Sequence, residues 1–216
     1  MSPLIEAGCR ASKTTLEANP LIELIKTRRS HYALNKQLTI SKERIQEISQ
    51  QALLHSPSAF NSQPTRVVVL FGESHTRLWD MAAETLKGIV PAEQWDLTAK
   101  KLSGFHNAAA SIMFFEDQDV VRNLQDKFPL YAGRVSGWTS QANGMLQSAI
   151  WIALESEGLG CNLQHYDPVI DERVAAEFGI PESWKLNAQL VVGGRAAEAK
   201  PKEFLPLEQR FKVFGA

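Results

Sequence analysis

Apolar residues recur at helical spacing in several stretches of the chain, and one of the clearest follows Ser41. The positions of Ile45, Ile48 and Ala52 lie three or four residues apart, which predicts an amphipathic helix. Ser41 is a preferred N-cap residue, and the run stops before Pro57. A helix is therefore expected from about residue 42 to residue 55.

The same pattern predicts most of the other elements. Helical spacing recurs at 21–25, 74–87, 91–103, 139–157 and 171–178. Apolar runs predict buried strands at 66–71 and 111–115, and a third strand is predicted at 186–192, where apolar and polar residues alternate at the start. Helices outnumber strands and do not alternate simply with them, which favours an α+β fold in which helices pack on a modest sheet.

The segment 139–157 has the longest core-like pattern. Gly144 and Ser148 lie among its apolar residues, and small side chains allow helices to approach closely. This helix is therefore expected in the centre of the core or at a dimer interface. Of the two glycines that follow it, one can end the helix, and Gly160 would let the backbone approach a ligand. Cys161 has no basic neighbour in sequence, so a small buried residue is expected there rather than a nucleophile.

Composition and charge exclude several classes of protein. The 216 residues are 44% hydrophobic and carry a net charge of −1, so any anion site must be local, and neither nucleic acid nor a membrane is an expected partner. No apolar run is long enough to span a bilayer.

Cysteine usage and the first residues bear on location and organisation. Cys9 and Cys161 form neither a disulfide framework nor a zinc pattern, so a cytoplasmic location is expected. Residues 1–19 have no clear periodicity, lack the apolar core of a signal peptide and are expected to be a loose tail with an inert Cys9. A single domain is expected over 20–216.

A basic segment, Arg28-Arg29-Ser30, stands where the first apolar run ends. Two guanidinium groups beside a hydroxyl can receive a phosphate through charge-assisted hydrogen bonds. The alternative is a solvated helix end whose cations complement the helix dipole.

The loop 56–64 contains two prolines and several short polar residues, and it leads directly into a predicted core strand. Because such a loop is held rigidly, the amides of Asn61 and Gln63 can recognise a ligand. The alternative is a turn whose asparagine and serine bond to their own backbone. Further along, Phe128, Tyr131 and Trp138 either form the wall of a pocket for a flat substrate or anchor a surface segment.

Several common catalytic patterns are absent from the sequence. There is no G-x-G-x-x-G after the first strand, no P-loop, no H-E-x-x-H and no G-x-S-x-G. The five histidines show no metal-ligand spacing. Neither a metal site nor a catalytic side chain is therefore expected.

Taken together, four motifs resemble the nitroreductase family of FMN-dependent oxidoreductases, most closely its short fungal and bacterial subgroup. They are Arg28-Arg29-Ser30, the loop 57–64, the segment 158–162, and 191–194 with the lysines that follow. Their order matches the family over about 21–213. The resemblance implies an α+β fold with a mostly antiparallel central sheet flanked by helices. It also implies a homodimer with the long helix at its interface.

The resemblance further implies FMN at that interface, bound by both subunits. Arg28 and Ser30 would hold its phosphate with Lys202, the loop would come from the partner subunit, and the glycines would present backbone to the ring. Tyr32 and Phe204 stand where many members have a basic residue, which would either weaken the phosphate contact or shift part of it to Lys200 or Arg210. The expected cofactor-binding residues are Arg28, Arg29, Ser30, Pro57, Ser58, Asn61, Gln63, Gly158, Leu159, Gly160, Lys200 and Lys202.

The activity implied by the resemblance is reduction of a flat nitroaromatic or quinone by NADPH or NADH. The flavin would take a hydride and pass it on by a ping-pong mechanism, without a catalytic side chain. The expected substrate-binding residues are Phe60, Tyr131, Trp138 and His165. The alternatives are a flavin-binding sensor or regulatory dimer with little turnover, and an α+β domain without a cofactor.

Overall fold

The computed structural model describes residues 19–215. The predicted loose tail, with Cys9, lies outside these residues except for Asn19, which begins the first helix. The described helices are α1 (Asn19–Thr27), α2 (Lys42–His55), α3 (Gly72–Lys87), α4 (Ala92–His106), α5 (Gln118–Lys127), α6 (Ala132–Ser156) and α7 (Asp171–Phe178). The described strands are β1 (Leu34–Asn35), β2 (Thr65–Phe71), β3 (Ala110–Asp117), β4 (Gly160–Gln164) and β5 (Trp184–Arg195).

The five strands form one sheet in which every strand pair is antiparallel. β5 pairs with β3 along one edge, and β3 pairs with β2. The other edge of β5 is shared by β4, at Gln189–Gly193, and by β1, at Gly194–Arg195. The expected α+β fold with a mostly antiparallel sheet flanked by helices is confirmed.

Helices cover both faces of the sheet, and the side chains of each strand point alternately toward one face and the other. Ile112 and Phe114 of β3 face the side on which α2 and α6 pack, whereas Met113 and Phe115 face α3, α4 and α7. All four side chains are buried. The α6 side of the sheet also carries the segments that the sequence analysis singled out for binding.

Three elements differ from the sequence-based expectation. The long helix begins at Ala132 rather than near residue 139, and α5 precedes it in a stretch where the sequence predicted no element. Residues 160–164, where no strand was predicted, form β4. Among the residues described, no helix is both long and apolar enough to cross a membrane.

Candidate functional site

The segment Arg28-Arg29-Ser30 lies in the extended link between α1 and β1, against the C-terminal end of α6. The guanidinium carbon of Arg28 lies 4.5 Å from the centroid of the Trp151 ring. The side chain of Arg29 donates a hydrogen bond to the carbonyl of Lys200. Ser30 forms a parallel bridge with Cys161 at the start of β4. Three separate elements therefore fix the segment.

The charged and polar side chains of this segment are not neutralised by the residues that the structure describes. Within residues 19–215, neither Arg28 nor Arg29 forms an ion pair with a carboxylate, and the Ser30 hydroxyl has no hydrogen-bond partner. All three residues are half-buried. Two guanidinium groups and a hydroxyl held in this way form a suitable receptor for a phosphate.

A buried carboxylate lies directly beneath the segment. Glu155 of α6 accepts hydrogen bonds from the backbone N–H of Arg29 at 2.9 Å and from Nε1 of Trp151 at 2.8 Å. Its side chain is 2% exposed, and Nη2 of Arg195 lies 3.8 Å from Oε2. The carboxylate thus joins the basic segment, the ring beneath Arg28 and the end of β5.

Lysines add positive charge beside this half of the site. An open cavity of about 620 Å³ is lined by Tyr32, Lys100, Lys101 and Lys200, among others. The ammonium of Lys202 lies 5.1 Å from the centroid of the Phe204 ring on the exposed tail, and its contact with a phosphate stays a prediction. Lys200 contacts Arg29 through its backbone carbonyl.

The loop between α2 and β2 is ordered by its own polar groups. The Ser58 hydroxyl accepts a hydrogen bond from the Gln63 N–H at 2.9 Å, and Arg66 donates to the Gln63 carbonyl at 2.7 Å. This is the self-bonded turn weighed as an alternative. Even so, the Asn61 side chain is exposed and forms no hydrogen bond with a described residue, so it is available to a ligand.

The loop backbone also adopts a costly conformation. Phe60, Asn61 and Gln63 have φ values of 56°, 51° and 51°. Asparagine tolerates this left-handed region, but a phenylalanine there is uncommon, and such strain concentrates at functional sites. Beside the loop, a cavity of about 210 Å³ is lined by Pro57, Ser58 and Gln63 together with Ala142 and Leu146 of α6, among others.

Three of the four predicted substrate-binding residues form a cluster at the base of this loop. Trp138 lies between the other two, with ring-centroid distances of 6.1 Å to Phe60 and 5.8 Å to Tyr131. Phe128 completes the cluster by stacking on Phe60 at 4.3 Å. His165 is exposed just after β4, outside this cluster.

The segment after α6 is largely accounted for within the chain. Gly158, with a φ of 87°, lies just after the last helical turn. A Cβ on Gly160 would lie 2.7 Å from Cδ2 of Leu34, so close packing in the sheet explains that glycine. The backbone N–H of Leu159 donates a hydrogen bond to the Leu154 carbonyl, and its carbonyl accepts one from the Arg195 side chain. Packing and hydrogen bonds within the chain explain these residues without a ligand. Their contact with a flavin ring therefore stays a prediction.

Cys161 lies in β4 and is fully buried. Burial raises the pKa of its thiol well above the usual range. The predicted burial of this residue is confirmed, and the raised pKa disfavours the thiolate form. The part of the chain that the structure describes also contains no group of three or more histidine, cysteine or acidic side chains arranged to hold a metal.

The two halves of the candidate site lie at different points along α6. The basic segment contacts Trp151 and Glu155, whereas the loop packs beside Ala142 and Leu146. From Ala142 to Glu155 the helix rises about 20 Å at 1.5 Å per residue.

Sequence reasoning missed Glu155, although the sequence carries a signal for it. Asn143, Gln147, Trp151 and Glu155 follow one another at intervals of four. This row stands beside the apolar row of Ala142, Leu146, Ile150 and Leu154, where a helix is expected to be covered. A polar row in that position indicates buried hydrogen bonds, which the structure contains.

Comparisons with known proteins agree on one family. The sequence pattern of the nitroreductase family matches residues 25–194. HBN1 of Saccharomyces cerevisiae is 37% identical over 186 residues, which are 85% of this chain and 92% of HBN1.

Solved structures give the same result. The nitroreductase CinD from Lactococcus lactis, in complex with chloramphenicol, superposes with a TM-score of 0.82 at 43% identity, covering 90% of this chain and 99% of CinD. CinD has also been solved with 4-nitrophenol. A Desulfovibrio desulfuricans protein in complex with FMN shares the fold, with a TM-score of 0.66 at 18% identity over 91% of this chain and 98% of its own.

Proposed function

This chain belongs to the nitroreductase family of oxidoreductases, and we propose that it is an FMN-dependent enzyme. In this proposal NADPH or NADH donates the electrons, and a nitroaromatic compound or a quinone accepts them. The observation that carries the proposal is the half-buried segment Arg28-Arg29-Ser30, whose guanidinium groups have no carboxylate partner within residues 19–215.

The residues present fit the phosphate end of FMN. Arg28 and Arg29 provide charge-assisted donors and Ser30 provides a hydroxyl, while the carbonyl of Lys200 holds the Arg29 side chain in place. The exposed amide of Asn61 is suited to the polar edge of a flavin ring, which has donors and acceptors. The structure of the Desulfovibrio desulfuricans protein with FMN supports this choice of cofactor.

When bound, FMN supplies the hydride chemistry, taking a hydride from the nicotinamide nucleotide and passing it to the acceptor in a ping-pong sequence. The chain itself binds and orients the reactants.

A flat acceptor is supported by the cluster of Phe60, Phe128, Tyr131 and Trp138. Phe60 is 60% exposed although it stacks on Phe128, so one face remains open to another aromatic ring. CinD has been solved with chloramphenicol and 4-nitrophenol, which are both nitroaromatic. We assign the cluster to acceptor binding, with His165 as a separate candidate.

The chain is proposed to act as a homodimer. Gly144 and Met145 lie on an exposed face of α6, and a Cβ on Gly144 would meet nothing within 4 Å. Helix α1 has no buried residue, and the tail exposes several large apolar side chains. Exposed apolar area of this extent is typical of an interface. The exposed tail residues are Phe204, Leu205, Leu207, Phe211, Val213 and Phe214.

The first experiment is an absorbance spectrum of the purified protein, followed by anaerobic addition of NADPH and then NADH. We expect flavin bands that bleach with at least one nucleotide and return when menadione or a nitrobenzene is added. Flavin that stays oxidised would favour a sensor or regulatory dimer. A colourless protein that takes up no FMN would contradict the cofactor assignment.

The location of the protein in the cell is a separate proposal. Two cysteines far apart in sequence, one of them buried with no disulfide partner among residues 19–215, suit a reducing compartment, so we propose the cytoplasm. Cell fractionation followed by immunoblotting would test it.

A further inference from the structure

We propose that Glu155 is a positioning residue for the cofactor phosphate, acting through the backbone and side chains of Arg28-Arg29-Ser30. The inference rests on the proposed function, because it assigns that segment to FMN. Glu155 itself would touch neither the cofactor nor the substrate.

Both carboxylate oxygens of Glu155 are used to hold the site. Oε2 accepts from the Arg29 N–H at 2.9 Å, and Oε1 accepts from Nε1 of Trp151 at 2.8 Å. Because the side chain is only 2% exposed, water cannot readily replace it as an acceptor for these donors.

The bond to Arg29 decides which way the backbone of the segment faces. Two residues after Arg29, the backbone N–H of His31 donates to the carbonyl of Cys161 at 2.9 Å. In extended chain, alternate N–H groups point to opposite sides. With Arg29 and His31 both held inward, the N–H of Ser30 points away from the protein interior, and no described residue accepts from it.

The bond to Trp151 fixes the surface on which Arg28 lies. The indole is anchored by its N–H to Glu155, and the guanidinium carbon of Arg28 is 4.5 Å from the ring centroid. A cation over an aromatic ring is attracted to it, and it keeps its N–H edges free for an anion. The Glu155 carboxylate therefore orients both the backbone N–H of Ser30 and the guanidinium group of Arg28.

A negative group beneath a phosphate site would repel the phosphate unless it were compensated. Nη2 of Arg195 lies 3.8 Å from Oε2 of Glu155 and donates to the Glu155 backbone carbonyl at 3.0 Å. Arg195 also donates from Nε to the Leu159 carbonyl at 3.0 Å. This pairing offsets the carboxylate charge, so the cations of Arg28 and Arg29 remain available to a ligand.

The test compares FMN with riboflavin, which has the same ring but no phosphate. We expect Glu155→Gln to raise the Kd of apo-protein for FMN about tenfold, which corresponds to a loss of about 1.4 kcal/mol, and to leave the Kd for riboflavin unchanged. Glu157→Gln is the matched control, because Glu157 lies two residues away and pairs with Arg44 instead. Both constants can be measured by quenching of flavin fluorescence, with thermal unfolding of each variant recorded alongside.

Several outcomes would overturn the inference. Equal weakening of FMN and riboflavin would show a general structural effect, and unchanged FMN binding would show that Glu155 is not needed. If Glu155→Gln does not fold, Trp151→Phe decides, because it keeps a ring under Arg28 and removes one donor. It should weaken FMN about two- to tenfold and leave riboflavin unchanged. A wild-type protein that binds neither flavin would refute the proposed function itself, and the inference with it.

Discussion

His75 is a buried histidine whose titration should make the stability of the protein depend on pH. It belongs to α3 and is 1% exposed, with Nδ1 2.9 Å from the Ser111 hydroxyl and Nε2 3.1 Å from the Phe105 carbonyl. Since a carbonyl only accepts, Nε2 carries the proton and Nδ1 accepts from Ser111. The same hydroxyl accepts from Nε1 of Trp79 at 2.9 Å. Neutral His75 therefore satisfies every polar group in this network.

The size of the effect follows from the pKa. Burial lowers the pKa of His75 from 6.5 to about 4. Between these values the unfolded chain binds a proton that the native chain does not, so the free energy of unfolding falls as pH falls. The loss is small above pH 6.5, reaches about 2 kcal/mol at pH 5 and approaches about 3 kcal/mol below pH 4.

The assay is urea unfolding of the wild type and of His75→Gln at pH 7.5 and pH 5. Protein and FMN concentrations are fixed, because binding to the native state shifts apparent stability. We expect the wild type to lose about 2 kcal/mol more than the variant over this interval. His55→Gln, at an exposed position, should behave like the wild type. Equal losses in wild type and His75→Gln would refute the reasoning.

Three further predictions concern the proposed site and dimer. Arg28→Ala should weaken FMN binding about 10- to 150-fold by removing a charge-assisted phosphate contact, and unchanged affinity in a fluorescence titration would contradict that role. Gly144→Leu should raise the dimer dissociation constant in analytical ultracentrifugation while the fold is kept, since the described residues of a single chain leave open space there; an undisturbed dimer would place the interface elsewhere. Phe60→Ala should raise KM for a nitrobenzene about two- to tenfold through lost stacking, with little change for NADPH; an unaltered KM would remove Phe60 from the acceptor site.

Helix α2 was predictable because its signals are local. The Ser41 hydroxyl accepts from the Arg44 N–H at 3.2 Å, as a capping serine should, and Ile45 is fully buried. The first two turns of α6 give no such signal. Gly133 and Gly137 are poor helix formers, and Val135 is buried against α5. Tertiary packing therefore decides where this helix begins, and spacing along the sequence does not reveal it.

The sequence did not predict strand β4, because several of its residues are polar although they are buried. Asn162 is fully buried, donates to the His31 carbonyl at 2.7 Å and accepts from Gln164 at 2.8 Å. These hydrogen bonds compensate for burying the polar side chain of Asn162, but one of them depends on a partner 131 residues away in sequence. In sequence the same residues are typical of a loop.

The candidate site likewise contains residues that local sequence predicts and residues that only the fold brings together. The residue types of Arg28 and Ser30 suggest a phosphate receptor from local chemistry alone. The residue that holds them, Glu155, lies 126 residues from Arg29 and is brought close only by the fold. Of the two lysines expected beside them through resemblance, Lys200 contacts Arg29 through its backbone carbonyl, and the role of Lys202 stays a prediction.

Helix α6 links these observations, because three of its surfaces serve different purposes. One row of apolar residues covers the sheet, a polar row ends at Glu155 beneath the basic segment, and the face with Gly144 and Ser148 is exposed. Ser148 lies near the midpoint between the loop at Ala142 and the basic segment at Glu155. If a second copy packs antiparallel across a two-fold axis near Ser148, the loop of one chain comes beside the basic segment of the other. Gly144, Ser148 and Ala149 on the exposed face of α6 are small enough for that approach, so we expect each binding site to need both subunits.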